Sequence, residues 1–220
     1  MDLKIDSKLK TRFPNLNVLL LHIDDVRVQK MDCELEKFKL EVINQVRNEY
    51  DLDSVKDNPT FRAYRDFFWG IKIDPTKIRP AAEALIRRIL AGKPLPTINT
   101  LVDAYNLASI KSGIAMATFD ADKLDGNLLM RFAEEDEPFQ GIGMDKPLIL
   151  KGGEIVVADE KKLIAVYPYR DADNTKITEK TKNITIVVCG VPGITDDVLE
   201  NASNVTLDYV KRFCGNEKRG

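Results

Sequence analysis

The spacing of apolar residues changes once along this chain, near Gly113, and that change limits the folds open to it. After Asp32, which is placed as an N-cap, Leu35, Phe38, Val42, Val46 and Tyr50 recur at helical spacing with charges between them. Asp57-Asn58-Pro59 breaks the chain, and residues 61–69 read as an aromatic-rich helix stopped by Gly70. Pro80 suits a first helical position, Ala81–Leu90 is strongly helix-forming, and Gly92 fits just past its end. Residues 98–112 form a further helix closed by Gly113.

From Ala115 onward short strand-like runs dominate: residues 116–119, 128–133, Ile155–Ala158, 163–167 and Ile184–Cys189, separated by acidic or Gly turns. Residues 195–213 close the chain as an amphipathic helix, with Asp196 and Asp197 well placed against the dipole of its first turn. One strand is expected early, over residues 17–23, with residues 26–28 as its continuation. Helices early, strands late and one closing helix make an α+β pattern. A doubly wound parallel sheet would need strands and helices to alternate throughout.

Bulk chemistry excludes more than it suggests. A chain of 220 residues can bury a real core, and a net charge of -2 provides no global field to hold nucleic acid. The single histidine, His22, lies in an apolar run and is expected to be a packed or half-buried strand residue. A Ser-His-Asp triad or a multi-His metal site would have to include it, and no motif surrounds it. Cys33, Cys189 and Cys214 are odd in number and far apart, which reads as reduced thiols in a cytoplasmic protein. No run approaches the ~18 apolar residues of a membrane span, and Met1-Asp2-Leu3-Lys4-Ile5-Asp6 is not a signal peptide. No cofactor or metal is expected.

Several local signals remain. Asp120, Asp122, Asp125 and Gly126 imitate a calcium loop, but the third Asp and the Gly each come one place late, so a solvated turn is expected. Gly190-Val191-Pro192-Gly193 before a helix could present N–H groups to an anion, but lacks the Lys-Ser/Thr of a phosphate loop. Arg79, Arg87, Arg88 and Lys93, with Arg62 and Arg65 nearby, form a local basic patch that can hold RNA phosphates. The same residues also read as a solvated helix face neutralised by partners such as Glu83. Tyr167-Pro168-Tyr169-Arg170-Asp171 gathers two aromatics and a guanidinium that could clamp a planar ligand, or pack at a sheet edge. Residues 175–183, rich in Thr and Asn, either order a turn or line a polar pocket.

A consistent order of motifs runs through the second half. Arg79-Pro80 leads a helix, followed by Leu95-Pro96-Thr97-Ile98-Asn99 and Leu101-Val102-Asp103-Ala104-Tyr105-Asn106. Then come Phe119-Asp120-Ala121-Asp122-Lys123 with Gly126, Arg131-Phe132-Ala133, Val156-Val157-Ala158-Asp159, and Ile177-Thr178-Glu179-Lys180-Thr181-Lys182-Asn183. This series resembles the B3/B4 domain of the phenylalanyl-tRNA synthetase beta subunit, over roughly residues 79–214. The resemblance implies a B3/B4-like domain at residues 79–220, preceded by a strand-helix-helix segment, residues 1–78, packed on it. It implies a three-layer fold with two packed, mostly antiparallel sheets and flanking helices.

In the synthetase that module is an editing site, which hydrolyses the ester of tRNA mischarged with tyrosine. The resemblance therefore implies a free-standing factor that deacylates a mischarged aminoacyl-tRNA at its 3′ end, with neither DNA nor membrane as partner. The alternatives are a tRNA-binding module without hydrolysis, and a binder or hydrolase of a small amino-acid-like metabolite. Carried over position by position, the family's Thr-Asn pair becomes Tyr105-Asn106, its His falls at Ala117, its Gly-rich loop near Pro168-Tyr169-Arg170-Asp171, and its tyrosine-reading Glu near Val188. Asn106 and Thr118 would orient ester or water. Tyr105, Ala117, Arg170, Asp171, Thr175 and Thr178 would line the amino-acid pocket, and Arg79, Arg87, Arg88 and Lys93 would contact RNA. The loss of the Glu and His implies a pocket that does not select tyrosine.

Overall fold

The computed structural model describes residues 1–215. In chain order these form β1 (Leu3–Ile5), α1 (Ser7–Arg12), β2 (Leu19–Ile23), α2 (Cys33–Glu49), α3 (Pro59–Gly70), α4 (Ala81–Leu90), α5 (Thr100–Ser112) and β3 (Ala115–Asp120). There follow β4 (Leu128–Phe132), β5 (Glu135–Phe139), β6 (Leu148–Lys151), β7 (Ile155–Ala158), β8 (Leu163–Val166), β9 (Arg170–Asp171), β10 (Ile184–Cys189) and α6 (Asp196–Cys214).

The helix ends are set by local chemistry. Asp32 accepts the N–H of Leu35 at 2.8 Å to start α2, and Asn99 accepts that of Val102 at 2.9 Å to start α5. Each such cap is worth about 1 kcal/mol. Gly113, at φ 75°, ends α5 in the left-handed conformation.

The strands form sheets ordered β1-β4-β7-β8-β9, β2-β10-β3 and β5-β6. Every named strand pair is antiparallel except β1 with β4. Side chains alternate across β10. Ile184 and Ile186 pack with Leu101, Ala104 and Leu107 of α5, Ile86 and Ile89 of α4, and Val42 and Val46 of α2. Val187, on the opposite face, joins Phe119, Met130, Val157 and Ile164 between the two larger sheets. The result is three layers: five-stranded sheet, three-stranded sheet, helices.

Residues 1–23 are threaded into both sheets. Leu3 and Ile5 lie opposite Leu128 and Met130, and Leu20 lies opposite Val187. Two expectations for this region need correction. Residues 26–28 are not a strand, although Val26 and Val28 are buried in the helical core. His22 is exposed rather than packed, because alternation sends Leu21 and Ile23 to the helical core and His22 to the other face. Its ring nitrogens lie 3.1 Å from Thr185 Oγ1 and from the carbonyl of Met1.

Candidate functional site

The structure collects the sequence's candidate residues in more than one place. The last turn of α4 carries Arg87 and Arg88, where cations are favoured by the helix dipole. Gly92, at φ 73°, turns the chain so that Lys93 donates its N–H to the carbonyl of Arg88 at 3.0 Å. Lys77, Arg79, Arg87, Arg88 and Lys93 thereby line one groove of about 430 Å³. Arg87 is partly spent there. Its Nε lies 2.8 Å from Glu83, a fully buried carboxylate that Arg65 also reaches at 3.1 Å. Among the described residues, Arg79, Arg88 and Lys93 have no ion-pair partner, and Lys77 has only Asp74 at 3.9 Å. The groove is therefore net positive.

A second constellation forms where the two larger sheets meet edge to edge. β3 and β9 are end strands of their sheets. The backbone N–H of Thr118 donates to the carboxylate of Asp171. Burial pushes the Asp171 carboxyl up to about 7, against the opposing pull of that N–H and of Arg170. Tyr105 on α5 sits beside this pair. Its phenol is raised above the ordinary range by burial first, then by the charges of Asp171 and Asp103. The hydroxyl of Thr118 is buried and has no hydrogen-bond partner among the described residues. A carboxylate near half-protonation beside an unused hydroxyl can take up or hand over protons.

The other candidates lie elsewhere. Asn106, one residue past Tyr105 on α5, is turned by about 100° around the helix. It faces a narrow crevice with Lys39, Leu85, Leu95, Pro96, Asp103 and Leu107. Ala117, next to Thr118, points the opposite way into the core between the sheets, with Tyr64, Tyr167, Val187 and Val188. The stem of Arg170 lies on Gly141, where a Cβ would come within 2.8 Å of its Cγ and Cδ. Its guanidinium is 3.5 Å from the carbonyl of Ile142. Thr175 is fully buried with an unpartnered hydroxyl. Thr178 is used in a turn: its N–H meets Thr181 Oγ1 at 3.0 Å, and Thr181 in turn donates to Asp120 at 2.8 Å.

Two residues escaped sequence reasoning. Lys39 Nζ lies 2.7 Å from Asp103 and 2.6 Å from Glu36, and both Lys39 and Asp103 are buried. Asp103 also accepts the N–H of Ile98 at 3.1 Å, which ties the 94–99 loop to α5. Burial holds the Asp103 carboxyl above its usual range despite Lys39. The available signal was Lys39 itself, a cation inside the stripe of Leu35, Val42 and Val46. The acids of the calcium-like turn are engaged with Lys123, Lys161, Lys162 and Asn183. Among the described residues no group of three or more His, Cys, Asp and Glu is arranged to hold a metal, and no helix is long and apolar enough to cross a membrane.

Comparison with known proteins adds four findings. Residues 63–215 match the family model described as B3/4 domain. The phenylalanine–tRNA ligase beta subunit of Fusobacterium nucleatum is 36% identical over 122 residues, 55% of this chain and 15% of that protein. The corresponding subunit of Mycoplasma genitalium is 25% identical over 183 residues, 83% of this chain and 22% of that protein. Among solved structures, an N-terminal fragment of the phenylalanyl-tRNA synthetase beta-subunit from Pyrococcus horikoshii matches with a TM-score of 0.51. That match covers 96% of this chain and 48% of the other at 14% identity, a likeness of fold. The chain spans under a quarter of the length of the two subunits.

Proposed function

This chain belongs to the B3/4 domain family, and from that premise we propose that it binds tRNA through the α4 groove. The observation behind this reading is the gathering of Arg79, Arg88 and Lys93, without countercharge, beside Lys77 and the partly neutralised Arg87. Phosphate contacts of this kind supply affinity without sequence readout. The chain's net charge of -2 supplies no global field, so affinity for RNA has to come from local clusters of cations such as this one. The test is filter binding of tRNA to the wild type and to Arg79→Glu/Arg88→Glu/Lys93→Glu. Reversal is expected to weaken binding by about 100-fold or more at low salt, since roughly 1 kcal/mol or more attaches to each close charge contact. Unchanged affinity in a folded variant would remove the proposal.

A second reading, hydrolysis of the ester at an aminoacylated 3′ end, is favoured by the Thr118–Asp171 arrangement. Ionised Asp171 would take a proton from a water attacking the ester carbon. The Thr118 hydroxyl would donate to the carbonyl oxygen as negative charge develops there, and as the C–O bond to the ribose breaks, Asp171 would pass the proton it took to the departing ribose oxygen. Tyrosine selectivity is not expected, because Ala117 and Val188 lie in an apolar core. Asn106, in its separate crevice, is better suited to packing than to the chemistry. Deacylation of a panel of mischarged tRNAs separates the readings. Loss of at least about 100-fold in Asp171→Asn with RNA binding intact supports hydrolysis, and no wild-type activity on any member leaves binding alone.

A further inference from the structure

A third cavity, apart from both constellations, has the chemistry of a nucleotide site. It measures about 540 Å³, within the range of small-molecule pockets, and is framed by Arg12, Lys72, Ile73, Lys151, Glu154 and Tyr169. The elements that build it are the end of α1, the chain after α3, the β6–β7 turn and the β8–β9 turn. At Gly152 and Gly153, φ is 78° and 91°, so the turn brings bare backbone to the wall.

The polar groups have different duties. Arg12, Lys72 and Lys151 are exposed, and none has an ion-pair partner among the described residues. Arg12 is held in place: its guanidinium lies over the rings of Phe13 and Phe132 at 5.3 and 5.6 Å, and Nη2 donates to the carbonyl of Gly70 at 3.1 Å. Glu154 lies further in. Its Oε1 accepts the N–H of Lys151 at 3.1 Å, while Oε2 is buried and has no hydrogen-bond partner among the described residues. Tyr169 is half-buried beside it, edge-on to Phe68 at 6.3 Å. The phenol is raised by burial first and then by the Glu154 charge.

We propose that this cavity binds a nucleotide, its phosphate on Arg12, Lys72 and Lys151, its base against Tyr169 and on Glu154 Oε2. A carboxylate inside and cations outside fix the orientation, because Glu154 repels the phosphate towards the rim. The same carboxylate selects among bases. It accepts only, so it suits adjacent N–H donors, as on guanine N1 and N2. Uracil presents one N–H between two carbonyl oxygens, and both oxygens face the carboxylate unfavourably. The ligand is either a free nucleoside monophosphate or the terminal nucleotide of an RNA.

Calorimetric titration of the full chain with GMP, AMP, CMP, UMP and inorganic phosphate tests this, alongside a short oligoribonucleotide ending in guanylate. GMP is expected to bind at least about fivefold tighter than UMP and about tenfold tighter than phosphate, in line with one good charge-assisted contact. Arg12→Gln and Lys72→Gln should each weaken GMP about fivefold or more. Glu154→Gln, which keeps an acceptor for the Lys151 N–H, should abolish the preference of GMP over UMP. Arg88→Glu, in the α4 groove, should weaken tRNA binding but leave the GMP affinity as in the wild type, so failure here is separable from failure of the tRNA reading. Binding of mononucleotides assigns a free ligand, and binding of the oligonucleotide alone, relaxed by Glu154→Gln, assigns an RNA end. Binding of neither, phosphate as tight as GMP, or indifference to Arg12, Lys72 and Glu154 overturns the proposal.

Discussion

Replacing Asp171 by Asn should change how stability depends on pH. The folded carboxyl sits at about 7 against an ordinary 3.8, a rise of about three units. At 1.36 kcal/mol per unit this is at most about 4 kcal/mol. The sign follows from proton counting. Between pH 4 and 7 the native state holds a proton that the unfolded state has released, so stability falls as pH rises. This group's contribution is complete below the unfolded value and lost once pH passes the folded one. Asn cannot ionise, yet its amide oxygen can still accept the N–H of Thr118. Urea unfolding of both proteins from pH 4 to 9 reads the difference directly, since all other titrations are common to the pair. The Asp171→Asn variant should gain on the wild type by up to about 1.4 kcal/mol per pH unit up to pH 7, then level off. Parallel curves would mean that Asp171 is not desolvated at the β3 edge and that the reasoning fails.

Other residues make separate predictions. Lys39→Met strands Asp103 as a buried charge and should cost about 3–5 kcal/mol in urea unfolding, whereas Lys39→Met/Asp103→Leu should recover a large part. Thr118→Val removes an unpartnered buried hydroxyl at nearly constant volume. It should be neutral or stabilising by up to about 1 kcal/mol, while lowering any deacylation. Gly190→Ala would drive a Cβ into the carbonyl of Asn17 and the Leu199 side chain, and should cost about 3 kcal/mol or more by thermal or urea unfolding.

What the sequence disclosed, and what it hid, divides by the range of the forces involved. The cap at Asp32 and the αL glycine at Gly113 act within a few residues, so those helix ends were readable from the chain alone, whereas the cap at Asn99 starts α5 at Thr100, two residues later than the expected 98. The five strand runs expected after Ala115 appear as strands, and three of them, Ile155–Ala158, Leu163–Val166 and Ile184–Cys189, are buried along their whole length and so show as near-continuous apolar runs. β5 was invisible: Glu135-Asp136-Glu137-Pro138-Phe139 is charged and interrupted by proline, and only its pairing with β6 makes it a strand. At the candidate site the basic residues were legible as a group, because Arg87, Arg88 and Lys93 adjoin in sequence. The neutralisation of Arg87 by Glu83 was partly legible from its i,i+4 spacing. Whether Tyr105 or Asn106 would face Asp171 was not. Both lie on α5, and the answer depends on which neighbours pack against each side of that helix. The same holds for Ala117 and Thr118, adjacent on one strand and facing different layers.

The most direct test of RNA binding at the α4 groove is the salt dependence of tRNA affinity. Each phosphate contact adds about 0.7–0.9 to the slope of log K against log salt concentration. With three or more cations engaged, the wild type should show a slope of about -2 or steeper. Arg79→Gln/Arg88→Gln/Lys93→Gln should flatten that slope by about 2. A wild-type slope near zero, or one that the triple variant leaves unchanged, would contradict the assignment.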